Sequence, residues 1–335
     1  MFNLKPLDDN GAAKNLLSLI FSGTLLLVVG LALLNQQAIF DYYKLRGYVP
    51  PTEVAQLATQ STMNDQTRRV FYVNQPVVQD KATFKIDCPD GGGEKTIVLG
   101  CYHGGQNGIY LLQVTDPRLN GVKQVTAAHE LLHATYDRLS SDERKKVDAM
   151  LLNYFENDLK DERIINTIEG YKKTEPNDLI NEMHSIFATE IVNLPAELEA
   201  YYSKYFTDRK KIVEFANQYQ AEFTSRQTAI ENYDVQLDSL KDQIAAGEAS
   251  LTQLQEQIKV EENSLQDLRR SNRTGEFNAR VPAFNGLIDQ YNQQVRSVQD
   301  LVRQYNVVVE ERNALASEIS ELSNALDTDV EQIKQ

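Results

Sequence analysis

The stretch Val125–Asp137, "VTAAHELLHATYD", places two of the chain's four histidines four residues apart, on either side of a glutamate. Ala127, Ala128, Leu131, Leu132 and Ala134 surround them, so the stretch reads as a buried helix. Residues i and i+4 of a helix lie about 40° apart around its axis and one turn along it. His129 and His133 therefore face the same way, with imidazoles near enough to share one ion. Glu130 is turned about 100° from His129 and flanks that ion without binding it. Buried histidines and a carboxylate need partners, because an unpaired buried polar group is costly. A metal supplies one. Zn2+ acidifies a bound water, and Glu130 is placed to take its proton as the water attacks a carbonyl.

The pattern from His129 to His133 resembles the zinc-dependent metallopeptidases called zincins, and the resemblance is confined to short motifs. It implies an α+β zincin-like catalytic domain, Zn2+ on His129 and His133, Glu130 as the catalytic base, and a third protein ligand. The residues after His133, "ATYDRL", lack the continuation of the metzincins. Downstream, "DLINEMHSIFATE" (Asp178–Glu190) carries an Asn-Glu pair like that of the gluzincins, the thermolysin-like branch, which implies Glu182 as the third ligand. Glu182 also shares a polar stripe with Asp178, Ser185 and Thr189 on an otherwise apolar helix. His184 and Glu190 are the other candidates. His184 lies about 200° around from Glu182, and Glu190 about 12 Å further along the axis, so only one of the three can join the histidines. The thermolysin pattern has an aspartate four residues after its glutamate. Here Ile186 stands there, which leaves Asp178 as the candidate to orient a histidine. His103, in "CYHGGQNG", is a candidate to reach substrate, against the reading of a solvated loop histidine. Tyr136 and Tyr171 are candidate donors to a carbonyl oxygen, against the reading of packing residues.

The formal net charge of −14 argues against nucleic acid, which requires concentrated Lys and Arg. It also argues that any membrane attachment is hydrophobic. Leu16–Leu34, "LLSLIFSGTLLLVVGLALL", lies in a stretch without charge between Lys14 and Asp41 and is long enough for the roughly 30 Å hydrocarbon core. An uncleaved anchor is expected there, with a cleaved signal and a buried helix as alternatives. Phe40, Tyr42, Tyr43 and Tyr48 follow as an interfacial belt would. Cys88 and Cys101 flank a glycine-rich turn, and a disulfide between them, against the reading of two unpaired, half-buried thiols, would need an oxidising compartment. The expectation is therefore an N-terminus in the cytoplasm and a catalytic domain outside it.

Between about residues 66 and 116, "RRVFYV", "ATFKIDC", "TIVLGCY" and "GIYLLQV" read as strands separated by turns. "GIYLLQV" stands where zincins often place the sheet edge that pairs with extended substrate, with an ordinary core strand as the alternative. Ser140 and Glu143 form a capping box. Residues 157–176 read as a polar loop, and 177–194 as helix. From Ile230 to Leu268, and again from Ile288 through Val302, Val309, Ala316 and Ser323 to Ile333, apolar residues hold a 3-4 spacing that marks coiled coil. "SNRTGEFNARVP" (271–282) reads as the break between them, with Asn272 in a glycosylation-like pattern. An antiparallel hairpin is the simplest geometry, with a parallel dimer as the alternative. Polar seam residues at Glu261, Arg312 and Ser323 are expected to set register.

The chain thus reads as a cytoplasmic N-terminus (1–14), a transmembrane anchor (15–36), a zinc metallopeptidase domain (51–205) and a C-terminal antiparallel coiled-coil hairpin (206–335). The expected substrate is a protein or peptide, and the hairpin is a candidate surface for a protein partner. Two other readings stand beside it. One is a membrane-tethered scaffold whose zincin domain is inactive. The other is a zinc amidase acting on a non-peptide envelope component.

Overall fold

The computed structural model describes residues 9–89, 99–174 and 176–327, and these hold twelve α-helices and one three-stranded sheet. Two compact units can be separated. Among the described residues the first runs to Val114 and resumes from Gly121 to Asn217, and the second joins Thr115–Asn120 to Gln218–Asp327.

At the centre of the first unit lies α6 (Val122–Asp137), the helix of the histidine pair. It packs most extensively on α9 (Leu179–Glu190), and also on strand β2 (Gly100–His103) and on α3 (Thr52–Gln60). Ala127, Ala128, Leu131, Leu132 and Ala134 are all fully buried, which confirms the helix and its apolar setting. The alanines let neighbouring backbones approach closely. Gly121 precedes the helix at φ 104°, in the left-handed region, and a Cβ there would lie 2.8 Å from the Phe215 carbonyl oxygen. Only glycine satisfies both demands.

Two stretches expected to be strands are helices. "RRVFYV" lies in α4 (Asp65–Val73) and "ATFKIDC" in α5 (Lys81–Asp87). Asn64 and Asp80 accept hydrogen bonds from the backbone N–H groups of Thr67 and Thr83, and these caps nucleate the helices. Burial of Thr67, Val70, Phe71 and Asn74 follows the helical period rather than an alternation. The expected loop at 157–176 is largely α8 (Glu162–Thr174), which buries Ile164 and Ile168 one turn apart. A single narrow apolar stripe supports it, so its composition is polar. The capping box at Ser140 and Glu143 opens α7 (Ser141–Asn157) as expected, and α10 (Ala196–Tyr202) follows α9 after Pro195.

The sheet has the order β1-β3-β2, with β1 (Val77–Gln79) parallel and β2 antiparallel to β3 (Gly108–Leu112). "GIYLLQV" is therefore the middle strand, which is the core-strand alternative and not the substrate-pairing edge. Ile109, Leu111 and Leu112 point to both faces and are all buried, so a central place is the one that satisfies them. "TIVLGCY" supplies β2, although Thr96–Val98 lie outside the described residues. Cys88 and Cys101 form a disulfide joining the end of α5 to β2. Closing a loop with a sequence separation of 13 contributes about 3 kcal/mol in the chain-entropy picture.

α1 (Asp9–Leu34) and α2 (Gln36–Leu45) precede this body. Among the described residues no single helix is long and apolar enough to cross a membrane, but Ser18–Leu34 and Gln36–Leu45, bent by 69°, meet that measure together. Tyr42 and Tyr43 are exposed, whereas Tyr48 packs on Tyr72. Asp41 on α2 is buried and takes two hydrogen bonds from Arg138, at 2.8 and 3.1 Å, just past the end of α6.

Within the second unit, α11 (Arg209–Arg270, from Gln218 onward) pairs with α12 (Thr274–Leu326) as an antiparallel hairpin. Arg226 meets Glu318, Asp234 meets Arg312, Gln255 meets Tyr291 and Glu261 meets Arg280, so numbers that rise on one helix fall on the other. Exposed pairs of this kind are worth less than about 1 kcal/mol each, so their main effect is on register. A Cβ on Gly247 would meet Val298 Cγ2 at 2.6 Å, so the glycine provides the space that this valine fills. The helix break is shorter than expected. It is confined to Ser271–Arg273, and Pro282 lies inside α12. Asn272 provides the stop by adopting φ 55°, which asparagine tolerates better than most residues. The second seam also shifts by one position at alternate contacts. Val302 is 39% exposed, whereas Val308 and Leu322 are buried at 5% and 0%. Both members of Leu301/Val302 and Val308/Val309 are apolar, so periodicity permits either phase. Packing against α11 selects the one that buries Leu322 in place of Ser323. Val330 and Ile333 lie outside the described residues.

Candidate metal centre

α6 and α9 bring His129, His133 and Glu182 together, with their ligand atoms all within 4.8 Å of one another. Three residues in this arrangement can hold a metal ion. His129 Nε2 lies 3.4 Å from one Glu182 oxygen and His133 Nε2 lies 3.4 Å from the other. These distances exceed those of good N–H···O hydrogen bonds. The groups face a common point rather than satisfying each other, and Glu182 Oε2 makes no hydrogen bond despite its burial. The two imidazole rings stand 4.8 Å apart at 70°.

Electrostatics bind the three groups together. Burial disfavours a charged His129, but the close approach and charge of Glu182, with Glu130 and Glu190 adding, raise its pKa to about 9. Burial pulls Glu182 upward. The charge of His133, the nearness of His129 and the hydroxyl of Tyr171 outweigh it and hold the carboxyl below its usual range. The centre is thus built to carry charge.

Glu130 is buried at 6% exposure on the same helix. Its carboxylate lies against Gly100 of β2, where an added Cβ would be 2.7 Å from Oε1. Nothing along the sequence marks this glycine, since glycines in a strand pattern are common and the contact is non-local. The hydroxyl of Tyr171, considered as a donor to a carbonyl oxygen, helps to lower the pKa of Glu182 instead. Tyr136 donates to Asp148 at 2.8 Å. Asp178, expected to orient a histidine, accepts from the Asn181 side chain at 3.2 Å, while His133 Nδ1 has no hydrogen bond. The helix begins only at Leu179, so Asp178 sits at its entrance rather than on its face. His103 is exposed, and its Nε2 lies 2.9 Å from the Asp87 carbonyl oxygen. Glu190 pairs with Arg163 at 2.5 Å. A cavity of about 1350 Å3, reached by Asn35, Arg69, Lys146 and Tyr205, does not include the three ligands.

His184 is a core residue. It is 0% exposed, its Nε2 meets the Tyr201 hydroxyl at 2.9 Å, and its carbonyl accepts from Tyr202. Burial, with the charges of His133 and His129 adding, lowers its pKa from 6.5 to about 3. The folded chain therefore binds fewer protons here than the unfolded chain. The stabilisation is complete above about pH 6.5 and is lost as pH falls from there toward 3. His184→Gln, measured in metal-free protein by urea unfolding at several pH values, should show a shallower acid loss than wild type over that window. The slopes should differ by up to about 1.4 kcal/mol per pH unit. Parallel curves would show that His184 takes up its proton over the same pH range in the folded and unfolded chains.

No family model, curated protein or solved structure matches this chain, so its function is argued from its own residues and their geometry.

Proposed function

We propose that the chain is a membrane-anchored, zinc-dependent metallopeptidase of the zincin kind, with His129, His133 and Glu182 as ligands and Glu130 as the catalytic base. The observation that carries this reading is the pair of 3.4 Å separations between the histidine nitrogens and the Glu182 oxygens, with Glu130 beside them. Ligands at about 2.0–2.1 Å from a tetrahedral zinc stand about 3.3–3.4 Å from one another. Bound zinc supplies Lewis acidity, which acidifies water and polarises a carbonyl oxygen. Glu130, one residue from a ligand, takes a proton from the attacking water and passes it to the leaving amine. Tyr171 and the two histidines hold the Glu182 carboxylate in its charged form.

For the substrate, β2 supports a peptide. It borders the Glu130 carboxylate, and among the described residues no strand pairs with its outer side. It takes the role expected of β3, since an open edge captures extended chain by strand addition. Leu19, Phe21, Leu26 and Leu33 on α1 are all more than half exposed, which supports a lipid-facing anchor. The Cys88–Cys101 disulfide supports a catalytic unit outside the cytoplasm. On the hairpin, exposed Val235, Val260 and Val307 support a protein partner.

The test is Glu130→Gln in the full chain, with zinc measured by plasma emission and cleavage by mass spectrometry of a mixed peptide library. Zinc should remain stoichiometric while hydrolysis falls by about 10²–10⁴-fold, the usual contribution of a general base. Wild-type turnover in zinc-loaded Glu130→Gln would sink the mechanism.

A further inference from the structure

β2 runs beside the proposed base for only four residues, Gly100–His103, and two of them are singular. A Cβ on Gly100 would lie 2.7 Å from Glu130 Oε1, 2.8 Å from Glu130 Cγ and 2.5 Å from Thr126 Cγ2. All three distances are below 3.0 Å, which real Cβ contacts essentially never reach. Glu130 is buried on the packed helix α6, so the carboxylate cannot yield without leaving its place. Conformational freedom is not the reason for this glycine, since Gly100 is absent from the positive-φ positions. The reason is the space taken by the carboxylate. The next residue, Cys101, is bonded to Cys88 at the end of α5. On its other side β2 has the ladder to β3, where Gly100 pairs with Leu111 and Cys101 with Tyr110. β2 is held beside α6 by this ladder, by the Tyr102 hydroxyl, which donates to Asp137 at the end of α6 at 2.8 Å, by His103 Nε2 at 2.9 Å from the Asp87 carbonyl oxygen, and by the disulfide, the one covalent tie and the one next to Gly100. The metal ligands come from α6 and α9, not from β2.

We propose that Gly100 is the positioning residue for Glu130 and that the Cys88–Cys101 disulfide holds it there, so that hydrolysis depends on the redox state of this bond. The inference rests on the peptidase reading above. The redox step is thiol–disulfide exchange with a dithiol. Two electrons and two protons pass from the dithiol to Cys88 and Cys101, the S–S bond breaks, two S–H bonds form, and the dithiol closes to its own disulfide. β2 then keeps its ladder to β3 and its contacts through Tyr102 and His103 but loses the covalent tie next to Gly100. The wall against Glu130 loosens while the ligand set stays intact.

The test uses the full chain loaded with zinc, in the variants Gly100→Ala, Thr126→Ser, Gly100→Ala/Thr126→Ser and Cys88→Ser/Cys101→Ser. Zinc content, kcat and KM are measured for each. The 13C resonance of the Glu130 carboxyl, assigned through Glu130→Gln, is recorded without substrate. Gly100→Ala should keep its zinc and KM, lose at least about 10-fold in kcat, a fraction of what a general base contributes, and move the Glu130 resonance. Thr126→Ser removes the methyl that crowds Gly100, keeps the hydroxyl, and should behave as wild type. The double variant should stay impaired, because the clash with the carboxylate remains. Cys88→Ser/Cys101→Ser should keep zinc and lose several-fold in kcat. It carries the test with the same readouts should Gly100→Ala not fold. Recovery of kcat in Gly100→Ala/Thr126→Ser would show that Gly100 serves packing on Thr126 alone and would overturn the proposal. An unmoved resonance with unchanged kcat in Gly100→Ala would do the same. Wild-type kcat in Cys88→Ser/Cys101→Ser would overturn the redox dependence. A wild-type chain that binds zinc and cleaves no peptide would defeat the peptidase reading separately, and the Glu130 resonance would still decide the role of Gly100.

Discussion

Glu182→Ala is expected to strip the chain of stoichiometric zinc while leaving its helical content unchanged. The variant keeps His129 and His133, but two imidazoles on one helix make only half of a tetrahedral set. The side chain removed is the one that both nitrogens face at 3.4 Å. Loss of even an outer partner of a zinc ligand typically costs about 10–100-fold in affinity, so loss of a direct ligand should cost more than about 100-fold. The fold should survive, because a truncated Glu182 leaves no buried carboxylate without a partner. The controls are the two rivals on the same helix. His184→Gln and Glu190→Gln should both keep their zinc, since His184 is turned to Tyr201 and Glu190 to Arg163. The measurement is zinc stoichiometry after dialysis, with circular dichroism on each variant. A fully loaded Glu182→Ala would remove α9 from the site.

Arg209→Ala should destabilise the first unit by about 3–5 kcal/mol, because it leaves three carbonyl groups without their donor at about 1–3 kcal/mol each. Arg209 is 5% exposed and lies at the start of α11. Its guanidinium donates to the carbonyls of Ala188, Ile191 and Val192 at 3.1, 2.6 and 3.0 Å, and pairs with Glu199. It therefore satisfies the C-terminal end of α9, the helix that carries Glu182. Alanine would leave these carbonyls and a carboxylate without their cation. Lysine should recover only part of the loss, because one ammonium cannot reach a fork of acceptors. For a unit of this size the melting temperature should fall by roughly 10 °C. The chain has no tryptophan, so unfolding is best followed by the near-UV dichroism of its tyrosines. The same reasoning bears on truncation. Ile212, Val213 and Ala216 are buried in the first unit beside Arg209, so a cut after Asn217 should leave a stable metal-binding unit and a cut after Phe206 should not. A melting temperature within about 2 °C of wild type for Arg209→Ala would show that water replaces the guanidinium; at roughly 2–4 °C per kcal/mol that is under about 1 kcal/mol.

Features legible in the sequence were those whose cause is local or periodic. Four-residue spacing set His129 and His133 on one face whatever they packed against. Ser140 and Glu143 capped α7 through their own backbone neighbours. Heptad spacing marked both hairpin helices, and the short break between them favoured antiparallel pairing. Cys88 and Cys101, close in sequence, found each other. Glu182 was reached through the resemblance of Asn181-Glu182 to the gluzincin pair, with the polar stripe on an apolar helix as a second argument.

Other features had no local cause strong enough to decide them. "RRVFYV" and "ATFKIDC" are short apolar runs compatible with strand or helix, and the caps at Asn64 and Asp80 made them helices. Leu301/Val302 and Val308/Val309 offered two seam phases of similar hydrophobicity, and only the facing helix could choose. "GIYLLQV" had the composition of a strand, but whether a strand is central or at the edge depends on which segments arrive on either side of it. Tyr171 on Glu182, Arg209 on the end of α9, and Gly100 against Glu130 join residues far apart in the chain. Helical period and capping act over a few residues and can be read along the chain. Placement of a carboxylate against a strand depends on packing among all the elements around it, and that only the tertiary structure decided.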